Sequence, residues 1–135
     1  MSVVLDASVT LAWYFEDEAS PATDELLNRI AEAGAVVPPL WRFEVGNGLQ
    51  MAIRRQRITA AYRNDALVEL AAMPITIDAD SDVQAWTSTL RLSERFSLTL
   101  YDATYLELAH RRALPLATLD RALQAAAQDL GLGVA

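Results

Sequence analysis

Four short apolar runs, Val3-Val4-Leu5, Val36-Val37, Pro74-Ile75-Thr76-Ile77 and Leu116-Ala117-Thr118, are separated by longer segments with helical spacing. Runs of this length, rich in β-branched residues and bounded by Asp, Pro or Gly, read as buried strands. Each connection is long enough to carry a helix across a sheet, which favours parallel over hairpin pairing. The expectation is an α/β fold. It is a single three-layer domain over residues 1–135, with a mostly parallel central sheet of four to five short strands flanked by helices. Gly133-Val134 is the optional fifth strand, at an edge.

The helices are marked by their ends. Ser8 is the expected cap of a helix from Val9 to Phe15; Ser20-Pro21 opens the next, and Gly34 closes it. Further helices are expected over Leu40 to Arg55, from Thr59 to about Met73, from near Asp80 to near Phe96, over Leu98 to Arg112, and over Arg121 to Leu130. Neither an internal repeat nor a linker interrupts the series.

Composition removes whole classes of chemistry. The 135 residues include no Cys and one His, His110, and all 11 basic residues are Arg. Absent Cys excludes disulfides, thiolate nucleophiles and thiolate zinc sites. A lone His excludes two-histidine sites within one chain, and absent Lys excludes a P-loop or a Schiff base. Any metal is then a hard cation held by oxygen. The net charge of −7 opposes whole-surface attraction to nucleic acid, but not a local Arg patch. The first apolar stretch contains Asp6 and lacks a basic leader, and no apolar run reaches the roughly 18 residues of a membrane span. A soluble, cytoplasmic protein without a membrane partner is the expectation.

Among 18 acids, four stand where acids are unusual. Asp6 and Asp120 follow strands, at the carboxyl edge where ligands of parallel sheets gather. Asp102 shares a helical face with Leu98, Tyr105, Leu106 and Ala109, and Glu44 shares one with Leu40, Trp41, Gly48 and Met51. A carboxylate in an apolar stripe needs an Arg, a proton or a cation, because burying it alone costs several kcal/mol. Bland accounts stand beside this: helix caps at Asp6 and Asp120, a capping box of Asp102 with Thr99, and a salt bridge from Glu44 to Arg42 or Arg54. One shared cation explains all four acids together. The alternating acids of Asp78-Ala79-Asp80-Ser81-Asp82 imitate a calcium loop, but Val83 and Thr89 stand where its Gly and Glu belong, so the run reads as a helix start.

Asp6-Ala7-Ser8 after the first strand, Glu44-Val45-Gly46-Asn47, Leu100-Tyr101-Asp102-Ala103-Thr104-Tyr105-Leu106-Glu107-Leu108-Ala109 and Thr118-Leu119-Asp120-Arg121-Ala122-Leu123 together resemble a PIN domain, specifically the VapC-type ribonuclease toxins. The resemblance covers essentially the entire chain. It implies a Mg²⁺- or Mn²⁺-dependent endoribonuclease acting on RNA such as tRNA or rRNA, usually a homodimer, restrained by a VapB-type antitoxin. Asp6, Glu44 and Asp102 match the family's three acidic metal positions, and Asp120 matches the more variable fourth. Ser8 and Thr118 match the hydroxyl positions that support the site. Asn47 matches a common polar position without an assigned role. When bound, such a cation activates water, polarises the phosphoryl oxygen and stabilises charge during in-line attack.

For substrate and partner, Arg54 and Arg55, with Arg57 and Arg63, are the densest basic stretch and are candidates for RNA phosphate contacts; cations also suit a helix C-terminus, and Arg111-Arg112 carries the same ambiguity. Trp13-Tyr14-Phe15 reads either as core or as the lining of an antitoxin groove. Two other functions remain open: a PIN-like nuclease of RNA processing without a toxin role, and a catalytically silent interaction module.

Overall fold

The computed structural model describes residues 2–135. Its strands are β1 (Val3–Leu5), β2 (Ala35–Val37), β3 (Ile75–Ile77) and β4 (Leu116–Ala117). They form one sheet in the order β3-β2-β1-β4, and all three pairings are parallel. Around it lie α1 (Ala7–Ala12), α2 (Pro21–Ala33), α3 (Leu40–Arg54), α4 (Ala60–Ala72), α5 (Ser81–Gln84), α6 (Ser88–Phe96), α7 (Leu100–Arg112) and α8 (Arg121–Asp129). The expected α/β architecture, a parallel sheet flanked by helices, is the observed one. The fifth strand reduces to a single bridge between Leu116 and Val134.

Val3, Val4 and Leu5 are fully buried on consecutive positions, so both faces of β1 are covered. Burying such a side chain stabilises the fold by about 1.5–3 kcal/mol. The core continues through Leu49, Leu106 and Leu108 to Leu116 and Leu123. Chain direction reverses once in the strand order: β1 to β3 step one way, and β4 returns beside β1. Right-handed crossovers therefore assign α1–α4 and α5–α7 to opposite faces.

Local chemistry sets the element ends. Ser20 accepts the Thr23 amide while Thr23 Oγ1 accepts the Ser20 amide, closing a capping box at α2. Gly34 ends that helix at φ +83°, where a Cβ would also meet the Pro74 carbonyl at 3.0 Å. Thr59 caps α4 by accepting the Tyr62 amide.

Two boundaries differ from the sequence expectation. The segment from Asp80 to Phe96 is two helices, broken at Thr87 with φ −120° and ψ −97°. A continuous helix would point Val83, Trp86 and Leu90 away from the side carrying Leu92 and Phe96, so the segment never had one apolar stripe. Ser8 is not the cap of α1: it lies inside the helix, and Asp6 occupies the cap position without a side-chain capping bond. The hydroxyl of Ser8 is committed elsewhere.

Candidate functional site

The strand order opens a crevice between β1 and β4, where neighbouring connections diverge. Asp6 ends β1 there, and Thr118-Leu119-Asp120 follow β4. Thr118 Oγ1 and Ser8 Oγ each donate to Asp6 Oδ2 at 2.7 Å. Each hydroxyl also accepts a backbone N–H from the loop after β4, Ser8 from Leu119 and Thr118 from Asp120, both at 3.1 Å. A hydroxyl has one proton, so accepting those amides leaves it to donate toward Asp6. Asp6 is thus buried and locked in place by neutral groups. Burial pushes its carboxyl above the ordinary value, and the Thr118 and Ser8 bonds offset only part of this.

Glu44 lies in the first half of α3 and Asp102 in the first turn of α7. Together with Asp6, Ser8, Asn47 and Asp120 they line one cavity of about 370 Å³. Glu44 Oε1 accepts a 2.6 Å hydrogen bond from the Tyr105 hydroxyl. Burial raises the Glu44 pKa; the Tyr105 bond opposes the rise, and the charges of Asp6 and Asp102 add to it. Burial likewise raises Asp102, with Asp6 and Asp120 adding repulsion. Among the described residues, none of these four acids forms an ion pair with Arg. Nor, among the described residues, do any three close into a ready-made ligand cage; they line one open cavity, where their like charges repel one another.

The bland accounts fare unequally. Glu44 bonds Tyr105 rather than Arg42 or Arg54. Thr99 accepts the Asp102 amide at 3.1 Å, half of a capping box, and its hydroxyl partly offsets the rise in the Asp102 pKa, yet Asp102 still lines the cavity. Asp120 is a true cap, accepting the Leu123 amide at 3.0 Å through Oδ1, and lines the cavity as well. The all-oxygen, uncompensated donor set fits a hard divalent cation such as Mg²⁺ or Mn²⁺.

Arg54 and Arg55 are exposed but do not line this cavity. Arg54 lies ten residues beyond Glu44 on α3, about 15 Å along the axis. Arg57 bonds Asp17 and stacks over Phe15, while Arg63 bonds Gln50 and Asn64. Trp13 Nε1 donates to the Thr23 carbonyl, and Tyr14 and Phe15 line a separate cavity of about 660 Å³ with Ile58 and Tyr62.

Sequence reasoning missed two features. The helical stripe presents Tyr105 only as an apolar neighbour of Asp102, although a buried Tyr must find a partner for its hydroxyl. Asp78, read as part of a helix start, is fully buried and accepts from Ser81, Arg111 and Arg112, while Arg111 also bonds Glu107. Burial opposes ionisation of Asp78, but those hydrogen bonds outweigh it and hold the carboxyl well below its ordinary range. Arg111 and Arg112 are therefore structural counter-charges rather than an open phosphate-binding pair.

Residues 3–129 match the PIN domain family model. The chain belongs to the PIN domain family. Ribonuclease VapC3 of Pyrobaculum aerophilum is 28% identical over 123 residues, which is 91% of this chain and 92% of that relative. The chain also resembles the crystal structure of PAE2754 from Pyrobaculum aerophilum, with a TM-score of 0.69 and 26% identity, covering 93% of this chain and 79% of that one.

Proposed function

We propose that residues 1–135 form one PIN endoribonuclease domain of the VapC type, hydrolysing RNA phosphodiester bonds with Mg²⁺ or Mn²⁺. The observation that carries this reading is the shared cavity of Asp6, Glu44, Asp102 and Asp120, four acids without an Arg partner among the described residues. Family membership and the similarity to a protein named a ribonuclease support it. Asp6, Glu44 and Asp102 are the proposed metal ligands, and Asp120 completes the set.

When bound, the cation supplies an activated water and charge stabilisation for the phosphoryl group. The chain's own residues do the rest. Ser8 and Thr118 fix the Asp6 carboxylate without neutralising it, which preserves its affinity for a cation. Asp102 enters from the first turn of α7, so one helix start orients it. The four acids repel RNA phosphates until their charge is offset, making substrate binding dependent on the metal. Arg54 and Arg55 are proposed to hold phosphates farther along the strand. Replacing both with Ala should weaken RNA binding and flatten its salt dependence; unchanged binding removes them from the interface.

As partners we propose an RNA substrate such as tRNA or rRNA, a VapB-type antitoxin and a second copy of the chain, in the cytoplasm. No helix among the described residues is long and apolar enough to cross a membrane. The purified chain, given transfer and ribosomal RNA fragments, should cut with Mg²⁺ or Mn²⁺ and stop with a chelator. Cleavage that persists in chelator contradicts the reading.

A further inference from the structure

Glu44 raises a mechanical problem that the other acids do not. Asp6 follows a strand directly, and Asp102 and Asp120 sit in or beside the first turn of a helix. Glu44 projects from the body of α3 on a longer side chain, is only half-buried, and faces the charges of Asp6 and Asp102, which favour its swinging away. The hydrogen bond on its carboxylate comes from Tyr105 on α7, 61 residues away in sequence. Tyr105 has no exposed surface, so its ring is fixed by the core and its hydroxyl is a stationary point. The same helix carries Asp102 three residues earlier, one turn toward the cavity.

We propose that Tyr105 is the positioning residue of the acidic site: its hydroxyl pins Glu44 Oε1 and ties the Glu44 and Asp102 helices at a fixed separation, leaving Glu44 Oε2 for a divalent cation. The donor's chemistry matters as much as its place. A phenol supplies a strong hydrogen bond yet brings no charge, so Glu44 keeps its full negative charge. An Arg at this place would hold Glu44 equally well but would compete with the cation. Ser8 and Thr118 do for Asp6 what Tyr105 does for Glu44, so both buried or half-buried acids are held by neutral donors. This inference rests on the metal-dependent reading above.

The test is Mn²⁺ affinity, measured by calorimetry on the wild-type chain and on Tyr105→Phe, beside thermal melts in chelator. Removing one supporting hydrogen bond should weaken Mn²⁺ binding on the order of tenfold. The concentration of Mn²⁺ giving half-maximal cleavage should rise in parallel, with a smaller change in rate at saturating metal. In a Glu44→Gln background, Tyr105→Phe should change Mn²⁺ affinity less than about twofold, because the group it positions no longer carries the charge. Equal Mn²⁺ affinity in wild type and Tyr105→Phe overturns the proposal and leaves the metal-dependent reading standing. An equal loss in both backgrounds also overturns it, since the hydroxyl would then act through the fold. Absence of Mn²⁺ binding by the wild-type chain overturns both.

Discussion

Two acidic groups lie at the carboxyl edge of the same sheet and are stabilised in opposite ways. Asp78, just after β3, is fully buried and held by Arg111, Arg112 and Ser81. Asp6, just after β1, is nearly as buried, yet among the described residues it is held by neutral donors alone, chiefly the hydroxyls of Ser8 and Thr118, with Glu44, Asp102 and Asp120 as further negative neighbours. The pKa directions follow: Asp78 is pulled down, while Asp6, Glu44 and Asp102 are pushed up. The fold supplies Arg where an acid is structural and withholds it where several acids converge. That contrast separates a closed ion-pair cluster from an open cavity of like charges, the one proposed above to take a divalent cation.

The largest expected effect of breaking the contrast is on activity. Asp102→Asn should lower RNA cleavage on the order of 10³-fold, about 4 kcal/mol in the barrier, while metal-free stability holds or rises because a repelling charge is gone. Cleavage rates and chemical denaturation in chelator check the two halves separately. At the other cluster the outcome reverses. Asp78→Ala strands Arg112 and half of the Arg111 pairing, and should cost about 3 kcal/mol of stability with or without metal. A smaller effect is expected at the neutral supports: Thr118→Val should weaken Mn²⁺ binding roughly tenfold and stability by about 1 kcal/mol.

Much of this was legible from the sequence, and the failures have a common cause. Asp6 and Asp120 announced themselves by following strands, and Glu44 and Asp102 by interrupting apolar stripes; these are local signals. The Asp78 cluster joins residues 33 and 34 positions apart, and the Tyr105 bond spans 61, so neither leaves a periodic trace. Asp78 was also hidden by its neighbours, since Asp80 and Asp82 made a run of acids look like a solvated helix start. Tyr105 was hidden by its own duality, a ring that belongs to the apolar stripe and a hydroxyl that does not. The break at Thr87 escaped because apolar residues on both sides of it mimic one long helix in composition, though not in phase.

The pH dependence of metal-free stability joins both clusters in one curve. Acids whose folded pKa is raised favour the protonated folded state, so Asp6, Glu44 and Asp102 erode stability as pH rises through and above their ordinary values of 3.8 to 4.5. Asp78 works the other way: its stabilisation is present above 3.8 and is lost as pH falls below that. The most direct test of the central claim is therefore a set of thermal melts from mildly acidic to neutral pH, with chelator or Mn²⁺, on the wild-type chain and Asp102→Asn. The account predicts that Mn²⁺ raises the wild-type melting temperature by an increment that grows toward neutral pH, and that Asp102→Asn loses most of that increment. The same increment in both proteins, or none in the wild type, contradicts it.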